Sequence, residues 1–94
     1  MTNKQKKALK AQAHHLKPVV RLGDKGLTDS VQAETDLQLS IHSLIKVHIH
    51  IGDREARQRV AVDLARDVGA DLVHSIGKVS IFYRPNPEDG EGAK

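Results

Sequence analysis

The stretch Leu16-Lys17-Pro18-Val19-Val20-Arg21-Leu22-Gly23-Asp24-Lys25-Gly26-Leu27-Thr28-Asp29 decides how this chain is read. It spells a short strand, a loop bracketed by glycines and the start of a helix. Pro18 suits the first position of a strand, where a missing N–H is tolerated. Val19, Val20 and Leu22 supply the β-branched and apolar content of a buried strand. Thr28 suits an N-cap, and Asp29 places negative charge in the first helical turn. A Gly-x-x-Gly loop lets backbone N–H groups approach an anion, because glycine adds no side-chain bulk and reaches positive φ. The same pattern also makes an ordinary turn.

Before this stretch, a helix is expected over about Asn3 to His15. Leu9, Ala13 and Leu16 fall on one side at helical spacing. At ~100° per residue, Lys4, Lys6, Lys7, Lys10 and His14 sweep an arc beside that stripe. Lys17 joins the arc only if the last turn persists, and Pro18 argues against that. Four lysines without a compensating acid repel one another at i,i+3 and i,i+4 spacing. Such a face favours a polyanionic partner, although a solvated helix face is also compatible with it.

After it, a second helix is expected over about Thr28 to Ser43, with Leu27, Val31, Leu37, Ile41 and Leu44 roughly on one face. Asp29, Glu34 and Asp36 make that helix acidic. Ile45-Lys46-Val47-His48-Ile49-His50-Ile51 alternates with period two. Its β-branched residues are expected to face the core, with Lys46, His48 and His50 facing the other way. Gly52 ends the strand and Asp53 can cap a third helix, about Arg54 to Val68, with Gly69 at its C′ position. Ala56, Val60, Leu64 and Val68 form an i,i+4 stripe. Arg54 and Arg57 sit at the helix start, the wrong end for dipole compensation, and so suggest a nearby anion. Two strands, about Asp71–Ile76 and Val79–Arg84, flank Gly77-Lys78, a type II′ hairpin signal. The order α-β-α-β-α-β-β implies an α+β fold, a two-layer sandwich of helices on a small four-stranded mixed sheet.

Ninety-four residues suit one domain, expected over residues 1–87, followed by a disordered acidic tail at 88–94. The net charge of +3 hides an asymmetry. From Met1 to Gly26 there are seven basic residues against one acid, Asp24, whereas the tail carries −2 and leaves the rest at +5. A compact basic third is what a phosphate-binding surface needs. Aromatic residues are 2% of the chain, too few for a binder that works by stacking bases. No apolar run spans a membrane, and Met1–Lys7 lacks the apolar stretch of a signal peptide. With no cysteine in the chain, a cytoplasmic location is expected.

Other chemistries find little support. His48 and His50 share a strand face, but a metal site needs further ligands at suitable spacing, so no metal is expected. The serines fall in no nucleophile-elbow pattern. Gly23-Asp24-Lys25-Gly26 is too short for a Walker A loop and lacks the following Lys-Ser/Thr. No catalytic residue, cofactor or small-molecule substrate is expected.

The segments Ala13-His14-His15-Leu16-Lys17-Pro18-Val19-Val20, Leu22-Gly23-Asp24-Lys25-Gly26-Leu27-Thr28, Leu44-Ile45-Lys46-Val47, Asp53-Arg54-Glu55, Ile76-Gly77-Lys78 and Tyr83-Arg84-Pro85 resemble the bacterial YhbY-type proteins, which are stand-alone CRM domains. The resemblance runs in order through nearly all of residues 3–87. It implies an RNA-binding module, a fold similar to the C-terminal domain of translation initiation factor 3, association with large ribosomal subunit precursors and a role in ribosome assembly. It maps the RNA surface onto Gly23, Asp24, Lys25 and Gly26 and onto Lys4, Lys6, Lys7 and Lys10. KH domains clamp an RNA backbone with a similar glycine loop.

Asp24 departs from a plain phosphate clamp, since its carboxylate would repel an adjacent phosphate. It can instead hold the turn by an Asx-type bond, leaving Lys25 as the loop's phosphate contact. The expected partner is structured ribosomal RNA, bound by a monomer through phosphates. The contacts are Lys4, Lys6, Lys7, Lys10, His14, Lys17, Arg21, the loop, N–H groups near Thr28, and Arg54 with Arg57. The rival reading is an adaptor that docks an acidic protein through the same lysines.

Overall fold

A computed structural model describes residues 1–86. The elements run α1 (Asn3–Ala13), β1 (Pro18–Leu22), α2 (Asp29–His42), β2 (Leu44–Ile49), α3 (Arg54–Asp67), β3 (Asp71–Ile76) and β4 (Val79–Tyr83). The strands form one sheet in the order β1-β2-β4-β3. β1 lies parallel to β2, while β2–β4 and β3–β4 are antiparallel. The α+β order and mixed sheet read from the sequence are those of the protein. The tail expected at 88–94 lies outside the described residues.

Alternation along β2 sets the two faces of the sheet. Ile45, Val47 and Ile49 are buried with Val20 and Leu22 of β1, Phe82 of β4, Leu39 of α2 and Ala61, Leu64 and Ala65 of α3. This is the main core, between the sheet and the α2/α3 layer. A smaller cluster of Ala13, Val73 and Ile81, with Leu9, Leu44 and Tyr83 against it, lies on the opposite face under α1. Thus α2 and α3 make the sandwich with the sheet, and α1 adds a partial layer on the other side. The β3 register shifts between Leu72 and His74, so Val73 is the extra residue of a bulge.

Several local expectations change. α1 stops at Ala13, with His14 as its C-cap, so Lys17 falls in the link to β1 rather than on the helical arc. α2 does not bury the face read from its leucines. Leu37 and Ile41 are 51% and 59% exposed, while Thr35 and Leu39 are fully buried. The gap of six between Val31 and Leu37 breaks helical spacing; Val31, Thr35 and Leu39 keep it at four. Thr35 tolerates burial because its Oγ1 donates to the Val31 carbonyl at 2.7 Å. α2 ends at Ser43, at φ 63°, which reverses the chain directly into β2. β2 stops at Ile49, leaving the half-buried Ile51 beyond it, and β4 stops at Tyr83 rather than Arg84.

The capping chemistry matches the sequence. Thr28 Oγ1 accepts from Val31 N at 3.1 Å, and Asp53 Oδ2 accepts from Ala56 N at 2.8 Å. At the hairpin, Gly77 has φ 56° and Lys78 has no positive φ, the pattern of a type II′ turn.

Candidate nucleic-acid interface

The lysines of α1 are exposed, because Leu9 and Ala13 turn the helix's other side onto the sheet. Thr2 and Gln5 form a capping box that fixes the first turn. Lys7, Lys10, His14 and His15 line a shallow depression on the exposed side. At the helix end, Lys46 Nζ of β2 donates to the His14 carbonyl at 3.4 Å. This contact ties α1 to the sheet face that α1 itself leaves open.

On that face the charges continue. Arg21 pairs in register with His48, and His48 with Val79 beside Lys78. The pKa of His48 lies below its ordinary value, first because of partial burial and then because His50, Arg21 and Lys78 repel its protonated form. The His48 and His50 ring centroids are 3.8 Å apart. Arg21, His48, His50 and Lys78 therefore form one cluster of basic groups. His50 N donates to the Leu22 carbonyl at 2.7 Å, which places the cluster beside the glycine loop.

The loop is closed by its backbone. Gly26 N donates to the Gly23 carbonyl at 2.8 Å, and Gly26 has φ 66°. The central residues Asp24 and Lys25 have no positive φ, which makes this a type I turn. The Asx-type bond open to Asp24 is not made among the described residues. Its carboxylate is exposed and makes no hydrogen bond among the described residues, because the backbone bond already closes the turn. A Cβ at Gly23 or Gly26 would meet no atom within 4 Å, so the space beside both glycines is open.

The sequence-predicted residues thus divide. Lys4, Lys6, Lys7, Lys10 and His14 lie on α1, Lys17 follows it, and Arg21 lies on the open sheet face. Gly23, Asp24, Lys25 and Gly26 form the turn at the end of β1, and Thr28 is committed to capping α2. Arg54 and Arg57 stand elsewhere, at the start of α3. They line a cleft of about 320 Å³ with Gln58, Ser75, Gly77 and Ser80. Sequence reasoning missed Lys46 and Lys78 as members of the basic surface. The period of β2 put Lys46, His48 and His50 on one side, but only the packing of α1 makes that side continuous with the lysines.

The acids that form ion pairs lie elsewhere. Every ion pair among the described residues belongs to the opposite layer or to the chain end that joins it: Arg66 with Asp63 and Asp67, and Arg84 with Asp36. None involves a lysine of α1, Lys17, Arg21, Lys25, Lys46 or Lys78. Among the described residues no group of three or more His, Cys, Asp or Glu could hold a metal ion, and no helix is long and apolar enough to cross a membrane.

The model of the CRS1/YhbY (CRM) domain family matches residues 1–84. A Haemophilus influenzae protein named "RNA-binding protein" is 44% identical over 88 residues, which cover 94% of this chain and 89% of that one. A Pseudomonas aeruginosa protein named "Probable RNA-binding protein" is 42% identical over 88 residues, covering 94% and 85%. The solution structure of a Staphylococcus aureus protein shares the fold with a TM-score of 0.85 at 30% identity, covering 97% of this chain and 95% of that one.

Proposed function

The chain belongs to the CRS1/YhbY (CRM) domain family, and from that premise we propose that it binds structured RNA through the phosphates and assists assembly of the large ribosomal subunit. The observation that carries the reading is a basic surface, without an ion pair among the described residues, that runs from the α1 lysines through Lys46 to Arg21, His48 and Lys78, and on to the turn at Gly23–Gly26. Unpaired lysines and arginines on one face attract a polyanion and release its counterions on contact. A sheet face this poor in exposed aromatic rings offers phosphates ionic contacts and bases little to stack on, so sequence specificity is modest. The open space beside Gly23 and Gly26 suits a backbone drawn close to the turn, with Lys25 as the charged contact. The cytoplasm is where such a partner is met.

Sedimentation of cell extract through a sucrose gradient, with and without ribonuclease, tests this. Comigration with a large-subunit precursor, abolished by ribonuclease, is the expected result. Migration as a free small protein at low salt, unaffected by ribonuclease, overturns it and makes the basic face a dock for an acidic protein.

A further inference from the structure

The cleft at the start of α3 opens on the other side of the sheet from the α1 lysines. Ser80 points to the side of the sheet that carries the main core, as does its neighbour Phe82 two positions on, whereas α1 lies on the other side. In this cleft two arginines and two serines converge, and no acidic side chain lines it. Arg57 is held in place: its Nη1 donates to the Ile51 carbonyl at 2.8 Å and to the Gly52 carbonyl at 3.2 Å. Those bonds fix the guanidinium and leave its Nε and Nη2 protons without a protein partner among the described residues. Ser75 and Ser80 pair directly across β3 and β4, with their hydroxyl oxygens 3.0 Å apart. One hydroxyl proton lies between them and the other is left to donate. Arg54 is exposed at the rim and engaged by no ion pair among the described residues.

We propose that this cleft is a second anion site, which takes a phosphate group between the Arg57 and Arg54 guanidiniums and the Ser75–Ser80 hydroxyls. A fixed guanidinium loses little freedom on binding, and its fork matches two phosphate oxygens. The cleft, at about 320 Å³, has room for a phosphate with its attached sugar. The inference rests on the RNA-binding reading only for the source of the phosphate, which is either a strand held on the lysine face or a free phosphate compound.

The test is an NMR titration of the full chain with inorganic phosphate, against chloride at matched ionic strength. The expected result is saturable shifts of the Arg57, Gln58, Gly77 and Ser80 amides, abolished by Arg54→Gln with Ser75→Ala. Shifts no larger than those with chloride, or shifts confined to Gly23–Gly26 and α1, overturn the site. Arg54→Gln alone, at an exposed position, serves if the double variant unfolds. A second arm uses RNA oligonucleotides with a 5′-phosphate or a 5′-hydroxyl end. The double variant is expected to lose about tenfold in affinity, the weight of a charged hydrogen bond. Equal loss with both RNAs assigns an internal phosphodiester to the cleft, and loss with the 5′-phosphate alone assigns a strand end. Undiminished affinity for both overturns RNA as the source. Saturable phosphate shifts in a protein that binds neither RNA support the cleft and overturn the RNA reading alone.

Discussion

Arg84 Nη1 lies 2.6 Å from Asp36 Oδ1 and also donates to the Val68 carbonyl at 2.8 Å, so one side chain ties the end of β4 to the middle of α2 and the end of α3. Its Nη2 donates to the Asp36 carbonyl and to Ser40 Oγ. Asn86 then donates to the Ser40 carbonyl. Arg84, within the Tyr83-Arg84-Pro85 motif, thus holds α2 and α3 together, on the side away from the lysines.

Arg84→Ala is expected to destabilise the fold by about 1–3 kcal/mol, because it leaves the half-buried carbonyl of Val68 without its charged donor. Asp36→Asn costs less, at most about 1 kcal/mol, since that carboxylate is 60% exposed. Thermal unfolding of the two variants checks the order. RNA affinity of folded Arg84→Ala is expected to match that of the parent.

Thr35 and Leu39 carry the buried face of α2. Leu39→Ala is expected to cost about 2–5 kcal/mol. Thr35→Val keeps the volume and removes a hydroxyl that only bonds back to its own helix, so its effect is expected to stay under about 1 kcal/mol. Leu37→Gln and Ile41→Gln, on the exposed side, are expected to be nearly neutral. Urea denaturation that ranks Leu37→Gln above Leu39→Ala in cost would contradict this assignment of faces.

Gly26→Asp is expected to weaken RNA binding in a domain that still folds. Its φ of 66° makes a side chain mildly strained, though Asp tolerates this region better than most residues. The added carboxylate enters open space where a phosphate would approach. Circular dichroism establishes folding, and filter binding measures affinity; unchanged binding by the folded variant removes the turn from the interface.

Lys10→Gln with Lys46→Gln joins one residue from α1 to one from β2. If both meet phosphates, the slope of log K against log salt becomes shallower by roughly 1–2. The loss in affinity is then larger at low salt than at high salt. A loss independent of salt argues against phosphate contacts at these positions.

The lowered pKa of His48 links this cluster to pH. The folded state resists protonating His48 more than the unfolded chain does. Stability is therefore full above the ordinary histidine value of 6.5 and declines as pH falls below it toward the folded value. His48→Gln is expected to remove that decline. RNA affinity is expected to move oppositely and rise as pH falls, because a phosphate offsets the repulsion from Arg21, His50 and Lys78. Parallel melting and binding series between pH 7.5 and about 5.5 check both signs.

The local rules were written in the chain. Thr28 and Asp53 cap where their side chains can reach the third amide, Gly77 supplies the positive φ of a hairpin, and the alternation of Ile45, Val47 and Ile49 names a buried face. Each depends on residues within a few positions of one another. The buried face of α2 was less legible: Leu37 and Ile41 look like core by composition, and only contact with the sheet selects Thr35 and Leu39 instead. Composition also marked the basic first third, and the lysines of α1 with Arg21 were readable as candidates.

The order of elements and the presence of two charged regions follow from the chain alone, since short-range backbone preferences and side-chain types suffice for both. Which side each region faces was settled by packing between distant elements. α1 packs through Ala13 onto the sheet face opposite α2 and α3, bringing Lys46 within 3.4 Å of the His14 carbonyl. It also separates Arg54 and Arg57 from the lysines. A helix with one small apolar stripe can cover either face of a sheet, and the choice rests on burial summed over residues far apart in the chain.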